Sequence, residues 1–156
     1  MDANVVSTEV VSADSPAPLK WYVWACALLV SVLATWAFVR WIPGVCPSRW
    51  SPYLLAKLLL ISPVLEEAAF RGGLHTLFLA RAPRTVGVAG VSLANLLTSI
   101  LFAATYVWFV SWVAGVAILV PSLALGWVFD RWGKLWPCIL LHGAFNAIFM
   151  LACVAK

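Results

Sequence analysis

Charge is what this chain has least of. Of its 156 residues only 10% are Asp, Glu, Lys or Arg, and there are two histidines. A soluble domain carries about a quarter charged residues. No run of Lys and Arg is present to follow a phosphate backbone, so nucleic acid is excluded as a partner. The formal charge of +4 is spread over short loops, where it serves topology and lipid headgroups. The four cysteines, Cys26, Cys46, Cys138 and Cys153, form no CxxC pair and show no metal-ligand spacing. Three lie within or at the edge of apolar stretches, where Cys acts as a small hydrophobe, so they fix no redox compartment. The zinc signature HExxH is absent, and two histidines are few for a metal hydrolase. Neither a nucleophile elbow nor a Ser–Lys pair is recognisable, which leaves Ser62, near an acidic pair, as the one serine to consider. No cofactor is expected.

What the chain has in excess is apolar surface. It is 64% hydrophobic, with a mean hydropathy of +1.00. These values describe an integral membrane protein, and the length suits one domain. Ten tryptophans fit interfacial belts, and Trp21, Trp24, Trp36, Trp41, Trp50, Trp132 and Trp136 all fall near expected span ends. Residues 1–18 are polar, without the basic start and apolar core of a signal peptide, and are expected to be a disordered tail. The remainder, 19–156, reads as a single transmembrane helical domain. Five spans are expected, over about residues 21–42, 51–80, 86–110, 112–129 and 135–154, the first long enough to cross a hydrocarbon core of about 30 Å. The fold class is therefore an all-α polytopic membrane protein, a bundle around an intramembrane polar cavity. Basic residues number five on the side of the N-terminus (Lys20, Arg81, Arg84, Arg131, Lys134) and three on the other (Arg40, Arg49, Lys156), a slight lean toward a cytoplasmic N-terminus.

The few ionisable residues inside the spans stand out against this background, because burying an ion in hydrocarbon costs several kcal/mol or more unless it has a partner. Pro63-Val64-Leu65-Glu66-Glu67-Ala68-Ala69-Phe70-Arg71 holds two adjacent carboxylates and one guanidinium. Glu67 and Arg71, four apart, share a helix face and can pair. Glu66 points about 100° away by helical geometry, which leaves it without that cation and suited to act as a general base or acid. Pro63 removes a backbone donor one turn earlier, and Gly72-Gly73 follows, so a kinked, tilted or broken helix is expected. His75 is expected to be an interfacial polar residue, and Lys57 to reach toward an interface. In the third span Asn95, Thr98, Ser99 and Thr105 form a polar row of the kind that glues helices together. In the fifth, His142 and Asn146 are four apart and project from one face. Together these residues suit attack of water on a carbonyl: Glu66 takes the proton, and His142 and Asn146 donate to the developing oxyanion.

Glu66-Glu67-Ala68-Ala69-Phe70-Arg71 resembles the EExxxR motif of the glutamate-dependent CAAX protease and bacteriocin-processing (CPBP, or Abi) family of intramembrane proteases. Leu141-His142-Gly143-Ala144-Phe145-Asn146 resembles that family's HxxxN motif, and the run Gly126–Pro137 resembles the stretch before it. The resemblance covers about residues 50–150. It implies a metal-independent endopeptidase in which Glu66 activates water, Glu67 and Arg71 support it, and His142 and Asn146 are oxyanion donors. It also implies a membrane-anchored peptide or protein as substrate, cut near its C-terminal or membrane-embedded part, and, for so compact a chain, a bacterial inner-membrane location and a C-terminal sorting signal. Substrate identity and oligomeric state are left open.

One position departs from the family. Its FxxxH motif corresponds to Phe102-Ala103-Ala104-Thr105-Tyr106, with Tyr106 in the histidine's place. A phenol donates a hydrogen bond near pH 7 but is a poor base. Tyr106 then positions water or substrate, or His75 takes the histidine's part, or the chain is a weak relative. The span bounds put Tyr106 near the end of its helix and Glu66 midway along its own, so the two meet only if the third helix is shifted or the cavity is deep. Two other functions fit some of these features: a non-catalytic relative acting as a peptide-binding, immunity or scaffold protein, and a small ion transporter using Glu66 and Arg71. The absence of an internal repeat counts against the transporter.

Overall fold

The computed structural model describes residues 21–82, 87–88 and 90–155; the expected polar tail lies outside them. Helix α1 is Trp21–Trp41. After a loop comes a single helical run, α2, over residues 52–79, then a two-stranded hairpin, β1 (Gly87–Val88) and β2 (Val91–Ser92), paired antiparallel. Helices α3 (Leu93–Phe109), α4 (Trp112–Trp132) and α5 (Leu135–Val154) complete the chain.

The third helix starts later than expected. Hydropathy alone runs the span back to residue 86, but Gly90 takes a positive φ of 76° and closes the hairpin, and Ser92 then caps α3 by accepting from the Asn95 N–H at 3.0 Å.

Helix α2 is unbroken but not regular. Its α-helical pieces Pro52–Ala56, Ser62–Glu67 and Thr76–Leu79 are separated by π-helical pieces Lys57–Ile61 and Ala68–His75. The wider turns stand where the sequence announces trouble. Pro63 lacks an N–H, and just before it the Ser62 N–H reaches back five residues to the Lys57 carbonyl. In that register the Leu58 carbonyl would look to residue 63 for a donor that proline lacks. The Asn146 carboxamide fills the gap, its Nδ2 donating to Leu58 O at 2.7 Å. The second π segment contains Arg71 and Gly72-Gly73, and there the Thr76 hydroxyl donates to the Arg71 carbonyl at 3.0 Å.

The bundle is polar inside and apolar outside. Its apolar core is Leu125, Phe129, Cys138 and Phe145, with Leu79, Leu135 and Leu141 packed against it. Beside this core lie buried Glu67, Arg71, His75, Asn95, Thr98, Ser99, Ser122 and His142. The outer surface instead carries Leu33, Trp41, Leu65, Trp108, Phe109, Trp112, Leu140 and Leu151. Water would penalise so extended an apolar surface; lipid does not. Helices α4 and α5 are each long and apolar enough to cross a membrane, and apolar stretches over Leu28–Trp41 and Leu93–Phe109 are shorter. The protein is an integral membrane protein.

Helix α3 packs most extensively on α4. Gly126 permits it: a Cβ there would overlap the Asn95 carboxamide.

Candidate active site

The two neighbouring glutamates have different surroundings. Glu67 is fully buried. Its Oε2 lies 3.3 Å from Arg71 Nε, and its Oε1 lies 2.8 Å from His142 Nδ1. The Arg71 Nε–H is not aimed at the carboxylate, so that contact is an ion pair without a hydrogen bond. Arg71 spends its aimed donors elsewhere: Nη2 donates to the Ser122 carbonyl at 2.8 Å and to Ser122 Oγ at 2.7 Å, and the guanidinium lies 5.2 Å from the Phe102 ring centroid.

From Ser122 the chain of bonds continues inward. Ser122 Oγ donates to Ser99 Oγ at 3.1 Å, Ser99 Oγ to Asn95 Oδ1 at 3.0 Å, and Asn95 Nδ2 to the Leu123 carbonyl at 3.0 Å. Of the polar row expected to glue helices, Asn95 and Ser99 do so and also anchor Arg71 through Ser122, whereas the Thr105 hydroxyl donates to the Phe102 carbonyl of its own helix. Ser122 was not singled out by sequence; a lone serine in an apolar span gives no signal until its partner is known.

Glu66 is the open member, with its side chain 27% exposed. It is not without partners, as helical spacing alone suggested. The Tyr106 hydroxyl donates to Glu66 Oε2 at 3.3 Å, and His142 Nε2 lies 3.8 Å from the same oxygen. Tyr106 therefore does reach the acidic pair. Phe102 stands behind it, 5.2 Å from the Tyr106 ring and 4.8 Å from Phe70, edge-on to the latter. Glu67, Arg71 and His142 are packed, and a pocket lined by Trp36, Arg40, Ala152 and Ala155 lies apart from them.

His142 bridges the two carboxylates. With Glu67 accepting at Nδ1, the hydrogen is assigned to Nδ1, and Nε2 of a neutral ring faces Glu66 as an acceptor. Nε2 becomes a donor, as the expected oxyanion role needs, only in the imidazolium form. Asn146 uses one N–H on the Leu58 carbonyl and retains a second.

His75 does not extend outward as a snorkelling side chain would. It is fully buried, with Nε2 3.0 Å from Asp130 Oδ1 and its ring 5.1 Å from Phe129. Ser92 Oγ donates to Asp130 Oδ2 at 2.7 Å. Asp130 comes from the α4–α5 end and was read only as part of a polar turn; its acid gives His75 a reason to be buried. His75 follows Glu66 by nine residues on one helix, a rise of roughly 13 Å, so it does not take the motif histidine's place.

An apolar exterior around a centre of carboxylates, imidazole and phenol defines a membrane protein with a buried polar site. Residues 48–148 match the family model described as type II CAAX prenyl endopeptidase Rce1-like. The chain belongs to that family of membrane proteases, and the match contains both Glu66–Arg71 and His142–Asn146. Neither the curated proteins nor the solved structures yield a match to the chain.

Proposed function

We propose that the protein is an intramembrane endopeptidase of glutamic type, with five membrane-crossing segments, resident in a bacterial inner membrane. The observation that carries this reading is the contrast within one dipeptide: Glu67 sealed against Arg71 and His142, Glu66 open beside Tyr106 and His142 Nε2. A water held between Glu66 Oε2 and His142 Nε2 has a carboxylate and an imidazole as acceptors for its hydrogens. Glu66 takes one proton as the water oxygen attacks the peptide carbonyl. The second water proton passes to His142 Nε2, and the oxyanion is met by the free Asn146 N–H and the resulting His142 Nε2–H. The proton on Glu66 then passes to the leaving amine as the C–N bond breaks, giving one carboxylate and one amine product. Glu67 orients the imidazole, Arg71 holds Glu67, and Tyr106 fixes the rotamer of Glu66.

The substrate is a membrane-anchored peptide or protein cut near its C-terminal or membrane-embedded part. Purified protein in bilayers, presented with membrane-anchored peptides, tests the reading. Wild type should release a product. Glu66→Gln should lower the rate by about 10²–10⁴-fold, the range of general base catalysis, with an unchanged melting temperature. Undiminished cleavage by that variant would falsify the mechanism. A second reading, a non-catalytic peptide binder, is favoured by Tyr106 standing where the family resemblance has a histidine; it expects Glu66→Gln to keep biological activity.

A further inference from the structure

We infer that Glu66 is reached from the oxidising face of the membrane, so that its substrates are peptide segments exposed on that face. The inference rests on the proteolytic reading of the site and adds the compartment.

The first observation is a disulfide that the cysteine spacing did not reveal. Cys46, in the loop after α1, is bonded to Cys153, in the last turn of α5, with a Cα–Cα distance of 5.6 Å. Structural disulfides persist in oxidising compartments and are rare where thioredoxin and glutathione keep thiols reduced. The bundle end at which α1 and α5 both finish therefore faces the oxidising side. The chain order carries this to the other elements. Helix α2 leaves that end, α3 returns to it, and the α3–α4 turn at Val110 and Ser111 lies there. Arg81, Asp130, Arg131 and Lys134 lie at the opposite end. The count of basic residues, five against three, or four with Lys57, leans the same way.

The second observation is the depth and sealing of the site. Tyr106 is three residues before Phe109, the last residue of α3, a rise of about 4.5 Å. It lies thirteen residues, roughly 20 Å, from Leu93 at the other end. Glu66 itself lies fourteen residues from Pro52 and thirteen from Leu79, near mid-depth, and the Tyr106 phenol reaches it from the last turns of α3. On its reducing side the path is filled. Arg71, Ser122, Ser99 and Asn95 are fully buried, and beyond them His75 and Ser92 close on Asp130. Around the turn, Trp108, Phe109, Val110 and Trp112 are exposed. A peptide tail held on the reducing side meets the plug; one presented on the oxidising side meets Glu66.

Three measurements on the full chain in native membranes test this. Alkylation before and after reduction should leave Cys46 and Cys153 blocked until reductant is added; free thiols at both positions remove the basis of the inference. With Cys26 and Cys138 replaced by Ala, a membrane-impermeant maleimide applied from outside should label Val110→Cys at least tenfold more than Lys134→Cys, and the reverse pattern overturns the orientation. One membrane-anchored peptide should be displayed in turn on each face, with Glu66→Gln as control. Cleavage confined to the outer display supports the inference, and cleavage of the inner display overturns it while leaving the protease intact. If neither display is cut, the proteolytic reading fails, and the labelling pattern still decides the orientation.

Discussion

The polar interior has two regions, joined at the Glu66-Glu67 peptide bond. One is closed: Glu67, Arg71, Ser122, Ser99 and Asn95, each fully buried and each held by a neighbouring helix. The other is open: Glu66, with the Tyr106 hydroxyl and the far nitrogen of His142. His142 belongs to both, one nitrogen on each carboxylate. The lesson is that identical side chains next to each other in sequence acquire different surroundings from solvent access and from what a second helix offers. A charge with fixed partners gives rigidity, whereas a charge with an open side can exchange a proton with a substrate.

Substitutions can break this comparison or sharpen it. The largest effect expected is on catalysis: Glu66→Gln should remove cleavage by about 10²–10⁴-fold and leave stability unchanged, as measured by initial rates and thermal melts. Arg71→Met should do the opposite first. It leaves a buried carboxylate with His142 alone, and truncating one partner of a buried pair costs about 3–5 kcal/mol, visible as a lowered unfolding midpoint in detergent. An unchanged midpoint would mean that the closed region contributes no rigidity.

Next in size is the tie between α2 and α5. Asn146→Ala strips the Leu58 carbonyl of its donor and should cost about 1–3 kcal/mol. Pro63→Ala restores a backbone N–H, so the double variant should lose less than the two single losses summed. Additive losses in a double-mutant cycle would show that Asn146 is not compensating for the proline. The smallest effect is Tyr106→Phe, which removes one hydrogen bond to Glu66 worth about 1.5–3 kcal/mol at most, and less at its 3.3 Å length. A fall of roughly tenfold or less in kcat with KM retained fits a positioning phenol, and Tyr106→His should restore the rate. Loss of all activity in Tyr106→Phe would make the phenol more than a positioning group.

Much of the candidate site's geometry was legible in the chain. Four-residue spacing put Glu67 on the face of Arg71 and His142 on the face of Asn146, because the helical period fixes direction around an axis. The bounds of α1 and α5 and the start of α4 followed from apolar runs ended by Pro, Gly and charge, whereas α4 continues past Phe129 to Trp132, through Asp130 and Arg131, which were expected in a turn. Where reading failed, the missing quantity was position along an axis or contact with a distant helix. Tyr106 and Glu66 meet because α3 starts at Leu93 after a hairpin and α2 carries two wide turns, so neither depth could be counted from span ends. His75 is buried because Asp130, fifty-five positions away, supplies its partner.

By itself the sequence determined that this is a helical membrane protein and which polar side chains share a helix face, since composition selects the solvent and spacing selects the face. Only the tertiary structure decided which glutamate is sealed and which is open, that Asn146 completes the backbone around Pro63, and that Cys46 bonds Cys153. Those outcomes depend on how far each helix slides past its neighbour, and no local period encodes that offset.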